Sequence, residues 1–334
     1  MSKVEVPIID IGPFLSGDPQ GRIEVPKAVS RACEEIGFFS ITGHGVDQEL
    51  IAAAKKEAAA FFDLPLEEKM RARVGDPAVA YRGYRAVGEE NLAATRGITA
   101  PSDFKEFFQI SVCDYPKDEY HCGPAGAPHF MENVWPERPA HFRKYVTAYY
   151  NTIVNLSCEL MRISALALEL PETYFADKMN HQMSTMRIVN YPEQKTPPPP
   201  GQLRASPHSD YAALTILHGE NVPGSLQVKT KAGEWIDVIF APNSFVINIG
   251  DMMMRWTNDK WISTLHRVVN PPIEVGAMSR RQSLVFFCSP NYETDLSCLP
   301  SCVSPSNPAR YPPTTVGQYR SGKYAQAVPK PAAA

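Results

Sequence analysis

The sequence predicts a mainly β protein, a sandwich or jelly roll, with supporting helices and a mixed α/β N-terminal region. Three observations carry that expectation. Beyond residue 185 the chain breaks into short β-type runs at 186–191, 214–217, 225–228, 235–239, 244–249, 264–269 and 283–287. Gly, Pro, Asn and Asp bound these runs, as turn chemistry between strands requires. Residues 139–170 instead carry Tyr149, Ile153, Leu156, Leu160, Ile163, Ala167 and Leu170 at steps of three and four, which places them on one helical face. Ahead of both, strand and helix patterns alternate.

In chain order, Val6-Pro7-Ile8-Ile9-Asp10 reads as a short strand and Ser16-Gly17-Asp18-Pro19 as a turn. A helix over 25–36 follows, ending at Gly37, where glycine suits a left-handed cap. Phe38-Phe39-Ser40-Ile41 is a compact strand closed by Gly43-His44-Gly45, and residues 48–62 are rich in helix formers. The long helix packs its apolar stripe on a sheet, and Pro171 ends it. Pro197-Pro198-Pro199-Pro200-Gly201 is a stiff connector between strands.

Composition narrows the function classes. The 334 residues are 44% hydrophobic and 21% charged, the balance of a folded globular chain. The net charge is −3. Basic clusters are no longer than Arg280-Arg281, so no nucleic-acid footprint is expected. Apolar runs fall short of the roughly 20 residues of a membrane helix, and the first residues lack the layout of a secretory signal. Seven dispersed cysteines, an odd number, fit free thiols in a reducing compartment. Cys298 and Cys302 lack a second pair of ligands for zinc. The expectation is a cytoplasmic protein, monomeric or weakly homo-oligomeric, acting on a small molecule.

The chemistry-bearing pattern starts at Ser206-Pro207-His208-Ser209-Asp210. Residues two apart in an extended chain share a face, so His208 and Asp210 present an imidazole and a carboxylate together. By itself the pair also describes a surface histidine beside an acid. In Ser263-Thr264-Leu265-His266-Arg267-Val268-Val269 a second histidine interrupts an apolar strand. Two histidines and one carboxylate with open positions opposite are the facial triad of non-haem iron(II) oxygenases. Arg281 and Ser283 share a face of the last strand. Their guanidinium fork and hydroxyl suit a carboxylate, although an internal ion pair would explain Arg281 as well. His218-Gly219-Glu220 repeats the His-x-carboxylate pattern, but it sits at a turn and reads as a loop feature.

With these residues in view, the chain resembles the isopenicillin N synthase-like iron(II)/2-oxoglutarate-dependent dioxygenases. The run NSFVINIGDMMMRWTNDKWISTLHRVVN at 243–270 carries the likeness. So do Pro7-Ile8-Ile9-Asp10, Gly37-Phe38-Phe39, Gly43-His44-Gly45 and Asn190-Tyr191-Pro192, and the likeness runs from about residue 6 to 290. It implies a double-stranded β-helix (jelly-roll) core, with iron held by His208, Asp210 and His266. It also implies a 2-oxoglutarate far carboxylate on Arg281 and Ser283, joined by the Tyr191 hydroxyl. The implied division is an N-terminal dioxygenase region over 1–110, a linking segment with the long helix over 111–180, a catalytic core over 181–295, and a tail over 296–334 able to cover the site. Tyr81, Tyr84, Phe104, Phe108 and Phe287 are candidate substrate contacts, each equally explicable as packing.

The activity so implied is oxidation of an unactivated C–H bond by dioxygen, by hydroxylation, desaturation or ring closure, coupled to decarboxylation of 2-oxoglutarate to succinate. The alternatives are an iron oxidase of the same fold that uses no 2-oxoglutarate, and a metal-binding jelly roll without catalysis.

Overall fold

The computed structural model describes residues 5–74, 82–222, 225–272, 274 and 279–327. Its strands are β1 (Ile8–Asp10), β2 (Phe38–Thr42), β3 (Gly83–Arg85), β4 (Glu106–Ser111), β5 (Thr185–Tyr191), β6 (Ala205–His208), β7 (Leu214–His218), β8 (Leu226–Lys229), β9 (Trp235–Asp237), β10 (Phe245–Ile249), β11 (His266–Val268) and β12 (Arg281–Cys288). The larger sheet runs β1-β2-β10-β7-β12-β5-β4-β3, and the smaller runs β6-β11-β8-β9. The strands pair antiparallel apart from β1 and β2, which are parallel.

The helices are α1 (Gly12–Leu15), α2 (Gly21–Glu35), α3 (Gln48–Phe62), α4 (Leu66–Met70), α5 (Glu119–Cys122), α6 (Phe142–Ala167), α7 (Ala176–Met179), α8 (Asp251–Trp256) and α9 (Val316–Ala327). The long support helix is thus α6. It stops short of Pro171 because Glu169 takes a left-handed φ of 59° and the Leu170 N–H turns back to the Ala165 carbonyl at 2.9 Å. Helix α2 starts before the expected position, with the Asp18 carboxylate accepting the Gly21 N–H at 2.6 Å. Strands β3 and β4, helix α8 and helix α9 were not anticipated. Strand β3 is only three residues long and β4, buried at every position, lacks a polar–apolar alternation, while the helices are short or polar enough to show little periodicity.

Strand alternation divides the larger sheet's side chains between two cores. Its helix face carries Phe108, Met186, Ile188, Leu284 and Phe286, which pack with residues of α2, α3 and α6. Its other face carries Phe38, Phe107, Val189, Leu217 and Val246, which meet Ala205, Leu226, Val228 and Val268 of the smaller sheet. Two sheets closing on one another with helices behind one of them make the double-stranded β-helix core. Gly37 supplies the expected left-handed cap with φ +70°, and a Cβ there would stand 2.0 Å from the Ile262 carbonyl oxygen.

Candidate active site

The space between the two sheets is a cavity of about 570 Å³. The register of the smaller sheet builds its centre. His266 on β11 pairs directly with His208 on β6, so two imidazoles distant in sequence stand side by side with ring centroids 4.3 Å apart. Asp210, just past the end of β6, turns Oδ1 toward both. It lies 3.8 Å from His208 Nε2 and 3.7 Å from His266 Nε2. One ligand atom from each residue falls within 4.8 Å of the other two.

Backbone and neighbours fix each of the three groups. His208 Nδ1 lies 2.7 Å from the Ser206 carbonyl and His266 Nδ1 lies 3.1 Å from the Thr264 carbonyl. A carbonyl can only accept, so each Nδ1 carries the proton and each Nε2 offers its lone pair inward. Asp210 Oδ2 accepts from Thr215 Oγ1 at 2.7 Å and from Asn248 Nδ2 at 2.8 Å. Thr215 on β7 and Asn248 on β10 are direct cross-strand partners. The larger sheet therefore aims the carboxylate while the smaller sheet supplies the imidazoles.

Burial, then the nearby His266, pushes the His208 imidazole down to about 3. Burial alone would raise the Asp210 carboxyl, but the two imidazoles and the Asn248 and Thr215 hydrogen bonds outweigh it and hold it below its ordinary range. A neutral imidazole and an ionised carboxylate are the forms that bind a divalent metal. The donor set suits iron(II).

Deeper in the cavity Arg281 on β12 is 1% exposed. Its Nη1 and the Ser283 Oγ are buried without a hydrogen-bond partner among the described residues. The guanidinium lies over the Tyr191 ring at 5.2 Å and the Phe240 ring at 5.5 Å, and Nε donates to the Glu220 carbonyl at 3.4 Å. Register places Arg281 opposite Tyr191 across β12 and β5. A buried cation with an orphan donor and an orphan hydroxyl beside it calls for an anion. The donor set therefore fits the far carboxylate of 2-oxoglutarate. Gly219 keeps the fork uncrowded, since a Cβ there would stand 3.0 Å from Arg281 Nη2 and 2.6 Å from Phe240.

His218-Gly219-Glu220 lies apart from the triad. Glu220 pairs with Lys55 and its Oε2 accepts the Gln282 N–H, so this segment braces the base of β12.

Among the candidate substrate contacts, Phe287 lines the cavity. Tyr84 and Phe108 do not: both belong to the helix-facing core. Their strand neighbours Arg85 and Phe107 line the cavity instead, because adjacent residues point to opposite faces. Phe104 does not line it either; its N–H bonds to the Leu203 carbonyl at 2.9 Å. Tyr81 lies outside the described residues.

Sequence reasoning missed a charged group on the cavity wall. Arg187 Nη1 donates to both Glu90 oxygens at 2.9 and 3.2 Å, and Lys105 Nζ stands 2.8 Å from Glu90 Oε2. Asp103 Oδ1 accepts the Ser206 N–H at 2.9 Å and its hydroxyl at 2.7 Å, tying this group to the iron strand. The signal was present: Arg187 interrupts an apolar strand and shares the face of Val189 and Tyr191, just as Arg281 shares that of Ser283. From the C-terminal helix α9, Arg320 and Tyr324 complete the wall.

Comparison with known proteins agrees with this geometry. Residues 6–138 match the family described as non-haem dioxygenase in morphine synthesis N-terminal, and residues 182–290 match the 2OG-Fe(II) oxygenase superfamily. A 2-oxoglutarate-Fe(II) type oxidoreductase of Emericella nidulans is 31% identical over 98% of this chain and 91% of its own. A homoarginine-6-hydroxylase of Arabidopsis thaliana is 32% identical over 89% of this chain and 88% of its own. A full-length Neurospora crassa protein crystallised with α-ketoglutarate superposes with a TM-score of 0.84 at 29% identity, covering 96% of this chain and 95% of that one. The chain therefore belongs to the 2OG-Fe(II) oxygenase superfamily and is an oxygenase that uses iron and 2-oxoglutarate to oxidise a small molecule.

Proposed function

We propose that His208, Asp210 and His266 hold the iron, that Arg281, Ser283 and Tyr191 seat 2-oxoglutarate, and that the cavity beside them binds the molecule to be oxidised. The observation that carries this is the coincidence, in one cavity, of three inward ligand atoms with the orphan donors of Arg281 and Ser283. Iron with 2-oxoglutarate and dioxygen supplies the oxidising power, releasing succinate and carbon dioxide as a substrate C–H bond is oxidised.

The chain's own residues place the reactants. Arg281 and Ser283 would hold the far carboxylate of 2-oxoglutarate, leaving its keto acid end for the triad. Asn248 and Thr215 keep Asp210 from rotating. Phe38, Leu226 and Val268 of the facing sheets keep the cavity dry around the reacting carbon. The described part of the tail, 296–327, acts as a cover through α9, which is held by Val316 buried in the core and by Lys323 Nζ and the Tyr319 hydroxyl meeting Asp251 Oδ2 at 3.1 and 3.2 Å; residues 328–334 lie outside the described residues. The proposal extends to a cytoplasmic enzyme, monomeric or weakly homo-oligomeric, with no nucleic-acid partner. All seven cysteines are free, and no described helix is long and apolar enough to cross a membrane.

The test is stoichiometry. With iron(II), 2-oxoglutarate and dioxygen, the purified protein is expected to release basal succinate, and one succinate for each substrate oxidised once a substrate is supplied. Oxygen consumed and substrate oxidised without succinate would eliminate the 2-oxoglutarate seat. Anaerobic addition of iron(II) and 2-oxoglutarate is expected to give a weak visible charge-transfer band that His266→Ala abolishes.

A further inference from the structure

Among the described residues the cavity wall carries a cation, Arg320, that neither the triad nor the 2-oxoglutarate seat explains. Asp210 and Arg281 are accounted for by the triad and the carboxylate seat. Glu90 is shared by Lys105 and Arg187, and Glu89 pairs with Arg73. Arg320 remains. It is 6% exposed, yet its hydrogen bonds go to neutral groups: Nη1 to the Met183 carbonyl at 2.9 Å and Nε to the Tyr324 hydroxyl at 3.2 Å. Among the described residues no carboxylate stands within ion-pair distance of it. Lys323, one turn along α9, makes the contrast, because it pairs with Asp251 at 3.1 Å.

A guanidinium kept from water with only neutral acceptors is costly unless an anion arrives. The surroundings add to its field. Burial, then the charge of Arg320, lowers the Arg82 guanidinium to about 10. Burial would raise the Tyr324 phenol, but Arg320, Arg82 and Arg187 together bring it below its ordinary value. This end of the cavity is therefore positive, while Phe107 and Phe287 make another part of the wall aromatic.

We propose that Arg320, held in place by Tyr324, receives a carboxylate of the substrate, so that the molecule oxidised is a small organic acid with an apolar body. This rests on reading the cavity as the substrate site. Arg320 is on this reading the residue that selects acids over neutral analogues, while Arg281, on β12, is kept for 2-oxoglutarate.

The experiment uses matched acid and amide probes: phenylacetate with phenylacetamide, 3-phenylpropionate with its amide, and octanoate with octanamide. The protein is loaded with zinc(II) and saturating 2-oxoglutarate, so that the carboxylate seat is filled and no turnover occurs. Calorimetric titration is expected to show at least one acid binding about tenfold or more tightly than its amide, the scale of one charge-assisted hydrogen bond. Arg320→Gln is expected to erase that preference while leaving the amide unchanged, and Arg320→Lys to keep part of it. Basal succinate release by the wild-type iron form reports separately on iron and 2-oxoglutarate binding. If no acid outbinds its amide in the wild-type protein, the proposal is overturned whatever the variants do. Retention of full acid preference in Arg320→Gln overturns it too. Loss of basal succinate release from the wild-type iron form would instead strike the proposed function.

Discussion

Asp210 divides its labour between two oxygens. Oδ1 faces the imidazoles, and Oδ2 is tied to Thr215 and Asn248. Groups that orient a ligand typically matter about 10–100-fold in metal affinity. Asn248→Ala is therefore expected to weaken iron(II) binding by about that factor with the fold intact, as read by competition with a chelator; unchanged affinity would show that Asp210 needs no such brace. Arg281 is a separate case. On the proposed carboxylate seat, its loss leaves the triad untouched but removes hydrogen bonds worth about 1.5–3 kcal/mol to a charged group. Arg281→Leu should raise the KM for 2-oxoglutarate about 10–100-fold while iron affinity holds. A parallel fall in iron affinity would mean that the two sites are not independent.

At the scale of elements, parity along a strand decides function. Along β4 and the residue before it, Lys105, Phe107 and Gln109 belong to the cavity, while Glu106, Phe108 and Ile110 face the other way. Glu106 there gathers Lys69 at 2.8 Å, the Tyr84 hydroxyl at 2.5 Å and Asn190 at 2.8 Å. Joining α4, β3 and β5, this network fixes the edge of the larger sheet. Removing one partner of a buried ion pair leaves the other uncompensated and costs about 3–5 kcal/mol. Glu106→Ala is expected to lose stability on that scale in urea unfolding, and a loss below about 1 kcal/mol would show that water reaches Lys69. Gly37 makes a comparable joint between α2 and β2. Gly37→Ala meets both a left-handed φ and the Ile262 carbonyl, so destabilisation of at least about 1–2 kcal/mol is expected in the same assay.

Across the whole molecule, the wall charges couple the site to stability. Burial would raise the Glu90 carboxyl, but Arg187 and Lys105 outweigh it and hold it at about 2, against an ordinary value of 4.5. A depressed carboxylate contributes stability that is complete above its unfolded pKa and is lost as pH falls toward the folded one. The stability difference between the wild-type protein and Glu90→Gln is therefore expected to be constant above about pH 5.5 and to shrink between pH 4.5 and pH 2. A difference that grows on acidification would reverse the assignment.

The sequence by itself determined the candidate donor types, which of them share a strand face and the kinship of the chain, because side-chain alternation, the His208-Ser209-Asp210 spacing and the interruption of apolar strands by His266 and Arg281 are local facts. Tertiary structure decided which face of each strand meets the cavity, and so exchanged Phe108 for Phe107 and Tyr84 for Arg85. It also brought Glu90, Arg187 and Arg320 to one wall from three distant segments. Separation along a chain does not measure distance in space, and a strand's two faces are equivalent until a second sheet covers one and helices cover the other. For that reason the candidate His208, Asp210 and His266 cluster was legible in the residues, while the wall that lines the cavity around it emerged only from the packing.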